Sequence, residues 1–358
     1  MKVLCVVHSP FFGGPHNEAL RLREPLRRRG WEIEVAIPDE PGSAAWRLEA
    51  AIEATDADVV QIGGLVNPHA AVAARRRGAA VVWQIVDSRA PTAVRRAAMV
   101  FVRRFADAVM FDGESLIPLH GAGNLTVPTF VYFPPVDTGR FVPDRERGLE
   151  TRAEIGIPPD VPVVGTVSSL VPMKGLETFI AAAGKIAGAH PDARFVVVGS
   201  TPSSHAAYGE RLKRQAEELG LPHPIVFAGE RTDVERWYPA FDVHLITSLP
   251  RSEGTTTTAM EAQACGIPVV ATRVGAVADA VVDGVTGLLV EPERPGVVTE
   301  AVIRLLANDG LRTSMSATGR EAALARFDAD RVADVYVRAY EAALAGLRSR
   351  RRPAATRR

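Results

Sequence analysis

Two cysteines among 358 residues are too few for a disulfide-stapled scaffold. Cys5 and Cys265 stand far apart in hydrophobic settings, so each reads as a buried free thiol, which fits a reducing compartment. Net charge is also missing: 42 Lys and Arg balance 42 Asp and Glu. No overall field therefore calls for nucleic acid or an acidic partner. No apolar run approaches the ~20 residues that span a bilayer. The opening residues 1–7 carry one lysine and a short apolar run before His8-Ser9-Pro10, which is too short for a secretory leader and reads as a first strand. The expected location is cytoplasmic. What is present is ordinary globular material, 47% apolar and 23% charged, and the length predicts two domains.

Short apolar runs alternate with longer amphipathic ones, which predicts α/β architecture with parallel sheets. Strands are expected at 3–7, 34–37, 59–62, 81–85, 108–111 and 130–133, and again at 163–167, 195–198, 225–227, 243–247, 268–271 and 288–290. Helical patterns fill the gaps, notably 17–29, 177–190, 210–219, 256–265 and 297–307. Gly30 reads as a helix C-terminal cap, and Pro25 predicts a kink or break. Pro134-Pro135, Pro143, a charged stretch over 144–154 and Pro158-Pro159 interrupt the alternation. They predict a linker over 144–160 between an N-terminal unit, 1–143, and a second unit, 161–327. A helix over 328–347 follows and is expected to pack back on the first domain, with a frayed basic tail at 348–358.

The chemistry concentrates in SEGTTTTAMEAQACGIPVVAT, residues 252–272. Glu253 and Glu261 flank seven residues, and Gly254 follows the first glutamate. Thr255 to Thr258 suit a first helical turn, where hydroxyls accept from orphan backbone N–H groups. A helix starting there offers free N–H groups and a dipole to phosphate, and Gly254 lets a ligand come close to the backbone. Eight residues of helix advance ~12 Å and rotate ~80° beyond two turns. Two carboxylates so spaced can hydrogen-bond the sugar at one end of a nucleotide diphosphate and the ribose at the other. The plain alternative is an amphipathic helix with two solvated glutamates.

The segment resembles the donor-binding signature of family 4 retaining glycosyltransferases. Further segments resemble that family in the same order: FFGGP (11–15), PPVDTGRF (134–141), GTVSSLVPMKGLETF (165–179), FAGERTDVERWYPAFDVHLITS (227–248) and VGAVADAVVDGVTGLLVEP (274–292). The likeness is dense from about 163 to 292 and thin before 130. It implies two Rossmann-like domains facing across a cleft, the GT-B fold, with acceptor-side residues in the first and the nucleotide sugar in the second. It also implies roles. Lys174 would neutralise the diphosphate as a point charge, and Glu253 would bind donor-sugar hydroxyls. Backbone N–H groups of Gly254, Thr255 and Thr256 would lie near sugar and phosphate, and Glu261 would hold the ribose. Gly13 and Gly14 would approach the diphosphate from the opposite domain. Arg231 lies where the base is contacted.

Two positions depart from the family pattern. Ser169 stands where an arginine is usual, five residues before the lysine, which removes half of a cationic clamp; Arg251 is a candidate substitute. In VVWQIVDSRAP the usual His-Asp pair is Val86-Asp87, leaving the aspartate alone. Asp87 is a candidate for contact with donor sugar or acceptor, with a turn cap as the alternative. His16, beside the glycine loop, is a candidate for acceptor or phosphate, against an ordinary structural histidine. Departure of the nucleotide diphosphate builds charge on its β-phosphate, which N–H groups, a helix terminus and Lys174 would stabilise with no metal required. Asp56-Ala57-Asp58 mimics the metal motif of the other glycosyltransferase fold but reads as a turn into a strand. The resemblance implies retention of anomeric configuration.

Between Arg75 and Arg104 there are eight arginines and one acid, Asp87. This basic interval suits an anionic acceptor or a peripheral contact with an anionic membrane at its inner face, or is simply a set of solvated helix faces. The expected substrates are a nucleotide diphosphate sugar, UDP-linked or GDP-linked, and an acceptor that is a glycan, a lipid-linked species or a small molecule. No separate cofactor, no metal and no nucleic acid are expected. A nucleotide-sugar epimerase of the same fold and a catalytically weak sugar-nucleotide binder are the competing functions.

Overall fold

A computed structural model describes residues 1–7, 14–36, 45–65, 67–86 and 90–351, without the side chains of 14–16, 45–47 and 351. The chain divides into two compact units, one of residues 1–135 with 328–358 and one of residues 136–327.

The first unit holds a sheet of β1 (Lys2–Val6), β2 (Glu32–Ala36), β3 (Val59–Gly63), β4 (Ala80–Ile85), β5 (Ala108–Asp112) and β6 (Thr129–Tyr132), in the order β2-β1-β3-β4-β5-β6. Every pairing is parallel, with Val3 opposite Val59 and Val59 opposite Ala80 setting the central register. Strands covered on both faces need apolar residues at every position, not at alternate ones, and all of β4, AVVWQI, is buried. The helix Gly14–Arg28 runs through Pro25 without the expected break. Leu22 and Leu26 are fully buried on either side of the proline, and Arg29 donates to the Pro25 carbonyl at 2.9 Å. Packing thus compensates for the backbone bond that proline removes. The chain turns at Gly30 with φ +78°.

The long helix Ala329–Arg351 belongs to this first unit. Val332, Ala333, Tyr336, Ala339, Tyr340 and Ala343 are buried against the sheet, the spacing of one helical face. Arg28 and Arg29 clamp its start through Asp330 and Asp334. Beneath that face lies a polar cluster. Gln84 Nε2 donates to Glu18 Oε1 at 2.6 Å and to Tyr132 Oη at 2.6 Å, and Gln61 Nε2 donates to Gln84 Oε1 at 2.9 Å. Tyr340 donates to Gln61 Oε1 at 2.6 Å, and Tyr336 donates to Glu18. Burial, with Asp112 adding repulsion, pushes the Glu18 carboxyl up to about 8. Cys5 and Cys265 are both buried and free, and burial pushes the Cys5 thiol up to about 12.

The second unit holds β7 (Val163–Val167), β8 (Arg194–Val198), β9 (Val226–Gly229), β10 (Val243–Ile246), β11 (Val269–Thr272) and β12 (Gly287–Val290), all parallel in the order β12-β11-β10-β7-β8-β9. Strand order reverses between β7 and β10. Residues 144–160, expected as a linker, are instead part of this unit. Asp144 accepts from the Arg147 N–H at 3.0 Å and caps the helix Arg145–Glu154. Arg152 is buried, donating to the carbonyls of Ala240, Pro159 and Val161 and to Asp242. One polar anchor does here what an apolar stripe would otherwise do, so the hydrophobic pattern gave no sign of a packed helix. Upstream, Arg320 donates to the carbonyls of Phe141 and Thr138 and holds that strand of chain on the same unit.

Candidate functional site

In a doubly wound sheet the carboxyl ends of the strands on either side of the reversal leave a crevice for ligands. The loops after β7 and β10 meet there. Val171 N–H bonds to the Ser169 carbonyl at 3.0 Å, and the turn Pro172–Lys174 ends at Gly175. Gly175 has φ +59°, and a Cβ on it would lie 2.2 Å from the Thr247 carbonyl oxygen. Only glycine allows this approach. Thr247 Oγ1 donates to the Lys174 carbonyl at 3.0 Å, and Leu249 N–H to the Met173 carbonyl at 2.9 Å, so the two loops form one piece.

Lys174 is thereby aimed at Glu253. Its Nζ donates to Glu253 Oε1 at 2.5 Å, and Ser248 Oγ donates to the same oxygen at 2.6 Å. Ser248 is held in turn, its carbonyl accepting from Thr272 Oγ1 at 2.6 Å. Glu253 is 7% exposed, whereas the Lys174 side chain keeps 29% of its surface. Gly275, with φ +54°, lets its loop press on the Glu253 carbonyl, where a Cβ would come within 2.0 Å. A cavity opens over this group, lined by Ser168, Lys174, Ser248, Glu253, Thr256 and Thr258.

The helix in the signature is shorter than its spacing suggested. It runs Thr257–Ala264, so Glu253 lies in the turn before it and Glu261 within it. The two carboxylates therefore do not ride one continuous helix. A bend at Gly254 and Thr255 intervenes, and upstream of Glu253 the chain turns at exposed Arg251, φ +62°, where Ser252 Oγ donates to the Leu249 carbonyl at 2.5 Å. The residue at the N-cap position does not cap the helix with its hydroxyl. Thr256 makes no side-chain capping bond, and its hydroxyl meets Thr258 Oγ1 at 3.1 Å. Thr255 and Thr256 are buried. Glu261 is 4% exposed, and Tyr238 donates to its Oε2 at 2.7 Å.

Of the other expected site residues, Ser169 is exposed in the loop after β7. Arg231 is exposed, donates to the Ala228 carbonyl at 3.1 Å and lies 4.9 Å over the Trp237 ring. Gly254 gives its carbonyl to the Ala276 N–H at 3.0 Å. Gly14 and His16 fall in the first turn of the helix Gly14–Arg28; the His16 side chain, like all of Gly13 and Asp87, lies outside the described residues. Asp56, at φ +49°, and Asp58 form the turn into β3, where Asp58 accepts from the Lys2 N–H at 2.9 Å.

Sequence reasoning missed Ser248, Thr272 and Tyr238. A weak signal existed for the first two: each is a polar residue closing an apolar strand at its carboxyl end, a favoured place for function in such sheets. Tyr238 gave none, because a buried tyrosine next to proline reads as core.

Residues 149–322 match the family model described as Glycosyl transferases group 1. The chain is 36% identical over 201 residues to D-inositol 3-phosphate glycosyltransferase 2 of Catenulispora acidiphila, covering 54% of this chain and 46% of that one. It is 34% identical over 276 residues to D-inositol 3-phosphate glycosyltransferase of Corynebacterium jeikeium, covering 75% of this chain and 65% of that one. The chain thus spans 46% and 65% of the length of these two relatives. The crystal structure of Anabaena HepE in complex with UDP superposes with a TM-score of 0.81 at 21% identity, covering 94% of this chain and 99% of that one. At that identity the likeness speaks for the fold, which is of the GT-B type.

Proposed function

Residues 149–322 belong to the Glycosyl transferases group 1 family, and from that premise we propose that the protein is a retaining glycosyltransferase that takes its sugar from a nucleotide diphosphate donor without needing a metal ion. The observation that carries the reading is the Lys174–Glu253–Ser248 group at the strand-order reversal, beside the start of the helix Thr257–Ala264. A diphosphate is a stronger anionic partner for Lys174 than one carboxylate. As Lys174 turns to it, Glu253 is released to accept from donor-sugar hydroxyls. When the glycosidic bond breaks, charge grows on the β-phosphate, and the ammonium and the helix-start N–H groups stabilise it. Thr255 and Thr256 line the approach, Glu261 takes the ribose, and Arg231 stands near the base. The family likeness alone assigns Gly13, Gly14, Asp87 and His16 to the diphosphate, the reacting sugar and the acceptor. Ser169 contributes no charge, which leaves the diphosphate's neutralisation there to Lys174, with exposed Arg251 as the candidate second cation.

The UDP bound to the Anabaena protein makes UDP-sugars the first donors to assay, with GDP-sugars as the alternative. The relatives' names make a phosphorylated inositol the first acceptor. Nucleotide release that requires both donor and acceptor, with a product of unchanged anomeric configuration by NMR, is the expected result. A donor converted alone would make the protein an epimerase, and tight donor binding without turnover would make it a binder.

A second reading adds a peripheral contact with anionic membrane. Its support is the helix Thr92–Phe105, which exposes Val94, Val100 and Phe101 beside exposed Arg96, Arg103 and Arg104. By contrast Arg75, Arg76 and Arg77 are paired with Asp107, Glu49 and Glu53. Pelleting with anionic but not neutral liposomes at low salt is expected; no lipid-dependent pelleting rejects it. Among the described residues no helix is long and apolar enough to cross a membrane.

A further inference from the structure

We infer that Tyr238 is a positioning residue for the donor site: its hydroxyl orients the Glu261 carboxylate toward the ribose hydroxyls. The inference rests on the donor reading above, in which Glu261 takes the ribose.

Tyr238 opens the short turn Tyr238–Ala240 that leads into β10, and it is fully buried. The turn it opens is held by two bonds, the Phe241 N–H to the Tyr238 carbonyl at 2.9 Å and Arg152 Nε to the Ala240 carbonyl at 2.8 Å. Its ring is fixed by three neighbours, Phe141 at 6.0 Å, Phe241 at 6.3 Å and His244 at 5.4 Å between centroids, each edge-on. A phenol fixed this way has one place for its hydroxyl, and that place is 2.7 Å from Glu261 Oε2. His244 adds no competing charge, because burial pushes it down to about 3 and keeps it neutral.

A glutamate has three side-chain torsions, and one in a binding site otherwise spends entropy on being oriented. A rigid donor on one carboxylate oxygen fixes the plane of the group, and with it the direction in which the carboxylate meets a ligand. Outer partners set the geometry of metal-binding carboxylates in the same way. The competing account is that a buried phenol simply needs an acceptor and Glu261 is the nearest. The two differ in one observable: only positioning makes the hydroxyl matter specifically for a nucleotide that carries ribose hydroxyls.

The test is calorimetric titration of UDP and of 2′,3′-dideoxyuridine diphosphate into the wild-type protein, the Tyr238→Phe variant and the Glu261→Gln variant. Positioning predicts that Tyr238→Phe weakens UDP about tenfold and leaves the dideoxy nucleotide unchanged, with donor KM raised and kcat nearly kept. Glu261→Gln should shrink the wild-type preference for UDP over the dideoxy compound. If Tyr238→Phe binds UDP like the wild type, or loses both nucleotides alike, the positioning role is wrong while the donor reading stands. If the wild type binds neither UDP nor GDP, or Glu261→Gln keeps the full preference for UDP over the dideoxy compound, the assignment of Glu261 fails and takes this inference with it; binding of GDP alone moves the same test to GDP and its dideoxy analogue.

Discussion

Glu18 in the first unit and Glu253 in the second are equally buried, at 8% and 7% exposure, yet their partners make them different groups. Glu253 faces Lys174 and Ser248, and its loop lines a cavity. Glu18 faces Gln84 and Tyr336, with Asp112 adding repulsion, and holds its proton to about 8. The lesson is that burial of a carboxylate does not by itself mark a functional residue. Glu253 has a cation within hydrogen-bond distance and a cavity beside it, whereas the neutral partners of Glu18 make its carboxyl a structural hydrogen-bonding group.

The largest effect that sharpens this contrast is on catalysis. Glu253→Ala or Lys174→Ala should lower kcat by about 10²–10³-fold, the size typical of losing one group that stabilises developing charge, while Glu18→Gln should leave kcat within a few-fold. A nucleotide-release assay on all three variants checks it, and similar losses for all three would break the comparison.

Next in size is stability against pH. Unfolded, the Glu18 carboxyl ionises near 4.5, but folded it keeps its proton to about 8. The folded state therefore binds more protons in that window, so this contribution is complete below the lower value and is lost as pH rises to the upper one. The loss is of the order of a few kcal/mol. Urea melts at pH 5 and pH 9 should show it, and Glu18→Gln should flatten the difference.

His244 in the second unit predicts the opposite limb. Its folded value of about 3 lies below the usual 6.5, so its contribution is present above 6.5 and disappears as pH falls toward 3. His244→Phe should flatten stability on the acid side and leave the alkaline side alone. The first unit then limits stability in alkali and the second in acid, which hydrogen exchange resolved by unit can read out.

The smallest expected change is backbone strain. Gly175→Ala places a Cβ 2.2 Å from the Thr247 carbonyl at φ +59° and should cost roughly 1–3 kcal/mol, with a raised donor KM because Lys174 is the next residue. Gly64→Ala has φ +79° but no atom within 4 Å, so it should cost only about 1 kcal/mol. Equal melting shifts for the two would mean that the close approach at Gly175 carries no energy.

Much of this protein was legible in one dimension. Alternating apolar runs located every strand to within about two residues at each end, because a parallel strand buried on both faces writes its burial into consecutive residues. The helix 329–351 was legible for the same reason, since its buried positions recur at the helical period. Lys174, Glu253 and Glu261 stood out through the motif around them. The helix start at Thr257, the packed helix Arg145–Glu154 and the unbroken helix through Pro25 did not follow from pattern. Each depends on a contact that local preference does not encode: the loop at Gly275 and Ala276 against the Gly254 bend, an Arg152 anchor, a leucine pair.

By itself the sequence determined the class of fold, the number of sheets and the acidic and basic residues that the signature segments carry. Tertiary structure alone decided which of them meet. Lys174 and Glu253 are 79 positions apart, and Tyr238 and Glu261 are 23 apart; neither separation has a period. The first pair meets because the strand order reverses between β7 and β10 and brings the loops after them together, and the second because the helix after β10 packs beside the turn before it; topology of that kind is a property of the whole packed unit, not of any segment within it.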